Sequence, residues 1–258
     1  MAMRVCPLCG ETTKKRRCPK DDSDTFRRVA MTRVQIMDDT VIDGRYHIGG
    51  VIGKGGFGTV YGGKDLRTGQ DLAIKVLTTA YSGSGDRIVQ RFVHEAAITA
   101  RLTHPHTVRV FDFGQMDNGN LFLAMEFLDG ETLKERRKRV GNLPHYQVYT
   151  IFSAVASALV EAHHAGIIHR DLKPDNIFLK KVKGVGEVVK VCDFGIAKLM
   201  QDEDDNQRNL TKTGHLVGTP RYMAPEQIEG GAVGPWTDFY ALGTMLYEFF
   251  AGQTPLQA

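Results

Sequence analysis

The hydrophobic pattern of this 258-residue chain reverses its balance near Leu128, from mostly strand-like to mostly helical, and this change constrains the fold more than any other feature. Upstream of it, short β-branched and aromatic runs cover Tyr46 to Ile52, Thr59 to Gly62, Leu72 to Leu77, Val108 to Gly114 and Leu121 to Phe127. Gly, Asn and Asp separate these runs, as at strand ends and tight turns. The spacing predicts a mostly antiparallel sheet with short connections. One stretch, from about Ile88 to Leu102, instead places Phe92, Ala96 and Ile98 to Leu102 on a roughly helical apolar face. Beyond Leu128 the apolar runs lengthen, and Tyr146 to His164 and Trp236 to Phe250 read as core helices. The expected class is α+β, a small β-rich unit with one helix followed by a larger helical one.

Charge and hydropathy narrow the setting. No run of about 18 uncharged apolar residues occurs, so no membrane span is expected; the best candidate, Val148 to Ile168, contains Glu161, His163 and His164. Arg4, Lys14, Lys15, Arg16 and Arg17 crowd the start, where a secretory signal needs an apolar core, so a cytoplasmic location is the expectation. The formal net charge of +3 is uneven: residues 1–37 hold nine Lys/Arg against four Asp/Glu, and the rest is slightly acidic. A nucleic-acid partner is therefore not expected for the body of the chain.

Four motifs carry chemistry. Gly53-Lys54-Gly55-Gly56-Phe57-Gly58-Thr59-Val60 lies between two expected strands, where glycines let backbone approach a polyphosphate without a side chain in the way. A tight Gly-rich hairpin without a ligand is the alternative. Leu72-Ala73-Ile74-Lys75 puts one cation on a strand made for burial, and Glu95 on the helical stretch is its natural anionic partner. An exposed edge lysine with a solvated glutamate is the competing reading. His169-Arg170-Asp171-Leu172-Lys173-Pro174-Asp175-Asn176 follows the long apolar helix, and Asp193-Phe194-Gly195 comes later. A general base must reach a hydroxyl while separate oxygens hold Mg²⁺, and Asp171, Asn176 and Asp193 supply that set.

In this order, followed by Ala224-Pro225-Glu226, the motifs resemble the eukaryotic-like serine/threonine protein kinases over about residues 43–255. The resemblance implies a bilobal kinase fold that uses ATP with Mg²⁺ or Mn²⁺ to phosphorylate protein Ser/Thr hydroxyls. It implies that Gly53, Gly55 and Gly58 cover the phosphates and that Ile52, Val60 and Ala73 line the adenine pocket. Lys75, paired to Glu95, would hold the α- and β-phosphates, Met125 would be the gatekeeper, and Glu126 to Leu128 the hinge. Phe178 would form part of the pocket floor. Asp171 would accept the substrate proton, Lys173 would steady the transferred phosphate, and Asn176 and Asp193 would bind the metal. Asp238 resembles the buried aspartate that braces the catalytic loop, and Arg170 implies control by phosphorylation at Thr211 or Thr213. The stretch Gly218 to Gln227 and the run Arg91 to Ala96 resemble bacterial members of the family.

Cys6-Pro7-Leu8-Cys9-Gly10 and Cys18-Pro19-Lys20-Asp21 have the shape of two zinc knuckles, with Asp21 in place of a fourth cysteine. A structural Zn²⁺ on Cys6, Cys9, Cys18 and Asp21 is one reading; a metal-free arm with exposed thiols is the other. The expected layout is a zinc-ribbon-like segment at 1–21, a linker at 22–42 and a kinase domain at 43–258, divided into an N-lobe at 43–128 and a partial C-lobe at 129–258. The family continues past the equivalent of Leu256 through further helices, so a kinase dimer or another partner is expected to cover the incomplete C-lobe. An ATP-binding pseudokinase-like module, or an inactive fragment, is the alternative function.

Overall fold

A computed structural model describes residues 4–6, 12–15, 17–20, 26–27, 40–55, 58–77, 85–194 and 220–255. The chain forms two compact units: Met1–Ala100 with Arg109–Phe127, and Arg101–Val108 with Leu128–Ala258.

The first unit is built on a six-stranded antiparallel sheet. Its strands are β4 (Val41–Ile42), β5 (Tyr46–Gly55), β6 (Gly58–Asp65), β7 (Asp71–Leu77), β8 (Val110–Gln115) and β9 (Leu121–Glu126), in the order β4-β5-β6-β7-β9-β8. Alternation along the strands sorts side chains to two faces. Tyr61, Leu72, Ile74, Val76, Phe122 and Ala124 share one face and join Ile42, Tyr46, Ile48 and Met116 in a buried core. Arg45 ties this face's turns together, with Nη2 2.9 Å from Asp65 Oδ2 and Nη1 2.9 Å from Asp112 Oδ2. On the opposite face lies α1 (Gly85–Thr99), whose buried Phe92 packs edge-on against Phe113 of β8 at 6.2 Å between ring centroids. Ahead of the sheet, β1 (Arg4–Val5), β2 (Thr12–Thr13) and β3 (Phe26–Arg27) pair as β2-β1-β3.

The second unit is mostly helical. Helix α3 (His145–His164) buries Val148, Ile151, Phe152, Val155, Ala158, Leu159 and Ala162, and α5 (Pro235–Ala251) packs against it through Phe249, edge-on to Phe152 at 5.5 Å. The unit also contains a small sheet and two short helices. Strands β10 (Gly130–Thr132), β11 (Ile177–Val182) and β12 (Gly186–Val191) pair antiparallel in that order, and α4 (Pro225–Glu229) precedes α5. Helix α2 (Leu133–Val140) buries a single residue, Leu133, so apolar periodicity does not reveal it. A reciprocal cap forms it instead: Glu135 N–H donates to Thr132 Oγ1 at 3.1 Å, and Thr132 N–H donates to Glu135 Oε2 at 2.8 Å.

Residues 101–108 belong with this unit although they follow α1 directly. Val108 N–H donates to Val191 O at 3.0 Å and Val191 N–H to His106 O at 2.7 Å, which adds the segment to β12. On α5, Trp236, Phe239, Tyr247 and Phe250 are exposed. No helix among the described residues is long and apolar enough to cross a membrane.

Candidate active site

In the first unit the motif residues gather on one sheet face. Directly paired residues project to the same side, and so do residues two apart on a strand. Gly53 pairs with Val60, Val60 with Lys75, Lys75 with Leu123 and Ala73 with Met125. Gly53, Val60, Ala73, Lys75 and Met125 therefore share a face, the one on which Phe113 receives Phe92 of α1. Lys75 is 4% exposed on an inner strand, so its ammonium is withdrawn from water within a β-sheet. Glu95, three residues beyond Phe92, lies on the same side of α1 as that ring and hence on the Lys75 side of the sheet.

The glycines of the loop divide into two kinds. Gly58 has φ +153°, and a Cβ there would overlap the carbonyl oxygen of Val76 on β7, so the sheet itself demands glycine. A Cβ at Gly53 or Gly55 would meet only ordinary contacts, at 3.9 Å and 4.0 Å. Nothing in the described packing requires those two. Ile52 is exposed, Glu126 ends β9, and Gly56 and Phe57 lie outside the described residues.

The second unit gathers Asp171, Lys173, Asn176, Asp193 and Asp238 around one loop. Lys173 Nζ donates to Asp171 Oδ2 at 2.7 Å. Asn176, at the end of the 3₁₀ turn Pro174–Asn176, donates through Nδ2 to Asp171 O at 2.7 Å and to Asp171 Oδ2 at 3.2 Å. With Nδ2 committed to Asp171, the Asn176 side chain keeps Oδ1, an oxygen donor of the kind a hard cation takes. Asp193 has φ +64°, and Phe194 after it is buried, with its ring 4.8 Å from that of His169. Leu128 is half-buried, and Phe178 lies on β11 opposite Thr132 of β10.

Asp238, 1% exposed on the first turn of α5, braces the loop. Its Oδ2 accepts from His169 N–H at 2.8 Å and its Oδ1 from Arg170 N–H at 2.9 Å. His163, at the end of α3, places Nε2 2.8 Å from Asp238 Oδ2. Sequence reasoning left His163 without a role, because 75 residues separate it from its partner. His169 is 0% exposed and accepts Asp171 N–H on Nδ1 at 3.3 Å, which leaves Nε2 to donate to Cys192 O at 2.8 Å. Both ring nitrogens are thus used in holding the loop.

A small cavity beside this loop is lined by Asp171, Lys173, Tyr222, Met223, Gln227 and Thr237, among others. Tyr222 OH donates to Glu248 Oε2 at 2.7 Å; burial, and then this bond, push its phenol above the ordinary value. Glu248 also lies 2.6 Å from Arg137 Nη1 of α2.

Cys6 and Cys18 are buried and form no disulfide, and Cys18 Sγ accepts Lys20 N–H at 3.4 Å. Cys9 and Asp21 lie outside the described residues, as do Thr211 and Thr213. Among the described residues no group of three or more His, Cys, Asp or Glu side chains is gathered to hold a metal ion.

The protein kinase domain family matches residues 46–258. The serine/threonine-protein kinase pkn3 of Myxococcus xanthus is 41% identical over 214 residues, covering 83% of this chain and 39% of that protein. PknL of Mycobacterium tuberculosis is 36% identical over 219 residues, covering 85% of this chain and 52% of its own length. The chain thus spans about two fifths to half the length of these curated relatives. The crystal structure of the M. tuberculosis PknI kinase domain superposes with a TM-score of 0.68 at 30% identity, covering 86% of this chain and 80% of that one. With a β-sheet unit carrying a buried strand lysine and a helical unit carrying the braced aspartate loop, the chain belongs to the protein kinase domain family.

Proposed function

We propose that this chain is the catalytic part of a serine/threonine protein kinase that moves the γ-phosphoryl group of ATP to hydroxyls of protein substrates. The observation that carries the reading is the Asp171 set. Asp171 Oδ2 is engaged by Lys173 and Asn176, whereas Oδ1 has no hydrogen-bond partner among the described residues and suits an incoming Ser/Thr hydroxyl. Asp171 orients that hydroxyl and accepts its proton as the new oxygen–phosphorus bond forms and the bond from the γ-phosphorus to its bridging oxygen breaks, with ADP as the leaving group. Lys173 then offsets negative charge on the transferred group. Lys75, supported by Glu95, takes the α- and β-phosphates, and Gly53, Gly55 and Gly58 give them backbone contacts. Ile52, Val60, Ala73, Met125, Glu126, Leu128 and Phe178 hold adenine.

Asn176 and Asp193 would hold Mg²⁺ or Mn²⁺, which supplies charge neutralisation on the phosphates. Both are oxygen donors, as such a cation requires. Retention of Lys75, Asp171, Asn176 and Asp193 together favours a working enzyme over an ATP-binding module without transfer. The test is γ-labelled ATP with a generic protein substrate, comparing wild type with Asp171→Ala. Transfer by wild type that disappears in the variant is expected; ATP binding without transfer by wild type would overturn the reading.

Arg170 supports a regulatory extension in which its guanidinium pairs with a phosphate on Thr211 or Thr213. Phosphopeptide mapping after incubation with ATP should find at least one of the two modified. At the N-terminus, Cys6, Cys9 and Cys18 with Asp21 form a structural zinc site in this proposal. Its support is two buried thiols in a unit too small for much apolar core, one of them accepting a backbone N–H two residues on. Metal analysis yielding no zinc, with all three cysteines freely alkylated, rejects it. Buried cysteines outside any disulfide also suit a reducing, cytoplasmic compartment. The exposed Trp236, Phe239, Tyr247 and Phe250 support a covering protein surface, whether further C-lobe helices or a dimer partner.

A further inference from the structure

Arg170 has φ +65°, a conformation that costs a non-glycine residue energy and persists only when its surroundings hold it. Its N–H is held by Asp238 Oδ1. Its carbonyl is held from elsewhere: Gln227 Nε2 donates to Arg170 O at 2.7 Å. That carbonyl belongs to the planar peptide whose N–H is Asp171's own, so fixing the oxygen fixes the plane that leads into the Asp171 Cα. The other end of the Gln227 amide is also engaged, since Oε1 accepts Ala224 N–H at 3.1 Å. These partners settle the orientation of the amide, because a carbonyl can meet only its NH₂ and an N–H only its oxygen.

We propose that Gln227 is a positioning residue for phosphoryl transfer, a two-ended clamp between the start of α4 and the peptide before Asp171. Gln227 does not touch the reacting atoms. It lines the cavity that also contains Asp171 and Lys173, and it sets the direction from which the Asp171 carboxylate enters. The start of α4 lies directly after the turn Pro220–Tyr222, so the clamp links the backbone there to the catalytic loop. The inference rests on the reading of Asp171 as the catalytic carboxylate.

Gln227→Glu is the discriminating variant, because it keeps an acceptor for Ala224 N–H but points a carboxylate at the Arg170 carbonyl. In the full chain it should lower kcat about tenfold, with the Kd for ATP unchanged within about twofold. Amide hydrogen exchange over residues 168–176 should quicken while exchange in α3 and α5 stays at the wild-type rate. Gln227→Ala, which removes both ends of the clamp, should show the same pattern and decides the matter if the glutamate variant does not fold. Wild-type exchange over 168–176, or a loss of kcat matched by equal loss of ATP affinity and thermal stability, overturns the inference. Wild type and Asp171→Ala are assayed alongside. A wild type that transfers no phosphate counts against the kinase reading, and exchange over the loop still decides the clamp. An active wild type matched by both Gln227 variants sinks the clamp alone.

Discussion

Lys173 Nζ sits 2.7 Å from Asp171 Oδ2, so the ammonium is anchored on the carboxylate two residues upstream. The pair is partly buried, with the side chains 18% and 14% exposed, and water screens it less than a surface pair. Lys173→Ala removes the cation while Asn176 still holds Asp171 in place. The expected outcome is a kcat lower by about a hundredfold with little change in ATP affinity. Steady-state kinetics with a parallel nucleotide titration check it, and equal losses in both would contradict the assignment.

Asp238→Ala should act on stability and activity together. It strands the His169 and Arg170 N–H groups and the His163 ring in a site with almost no solvent access. Leaving buried donors unsatisfied costs about 1–3 kcal/mol for each group, and part of this is recovered by relaxation. Urea unfolding should show a midpoint lowered by about 3 kcal/mol of stability, with phosphoryl transfer lost even where the protein remains folded.

The two kinds of loop glycine make opposite predictions. Gly58→Ala forces a Cβ into the Val76 carbonyl and should destabilise the sheet by about 2 kcal/mol or more, seen as a lower melting temperature without any nucleotide. Gly55→Ala meets only an ordinary contact, so its melting temperature should stay near wild type. Its effect should appear as weaker ATP binding, measured by titration.

Acid should weaken the α2 corner. Hydrogen bonds from Arg139 and then Arg136 hold the Glu131 carboxyl down to about 2 from its ordinary 4.5. A depressed carboxyl stabilises the fold above its unfolded value, and that contribution drains away as pH falls from 4.5 toward 2. After allowance for partial exposure it amounts to about 1 kcal/mol near neutrality. The stability gap between wild type and Glu131→Gln, measured by urea unfolding, should be constant above pH 5 and narrow steadily below about pH 4.5.

Much of the architecture is legible in period alone. The runs around Tyr46, Leu72 and Leu121 became strands, and Tyr146 to His164 became the core of α3, because each buries a face whose spacing matches one secondary structure. Helix α2 is the counter-example. Leu-Lys-Glu-Arg-Arg-Lys-Arg-Val has no apolar stripe, and its helix rests on the Thr132–Glu135 cap and on ion pairs from Arg136 and Arg139 to Glu131. The T-x-x-E spacing was the available signal. The small sheet was hidden for another reason, since β10 and β11 meet across more than forty residues of intervening chain.

The sequence by itself determined the chemical inventory. The residue types and order of Lys75, Glu95, Asp171, Lys173, Asn176 and Asp193 are local facts of a linear chain, and they point to phosphoryl transfer before any fold is known. Tertiary structure decided which groups hold Asp171 in its setting. Asp238, which the resemblance named, and Gln227, which it did not, reach residues 169–170 from α5 and α4, while His163 of α3 holds Asp238; hydrogen bonds spanning 57 to 75 residues leave no periodicity to read. It also separated Gly58, required by the backbone of β7, from Gly53 and Gly55, which in the sequence look the same. Spacing along the chain records which residues are present, whereas the approach of one backbone to another appears only once the sheet has closed.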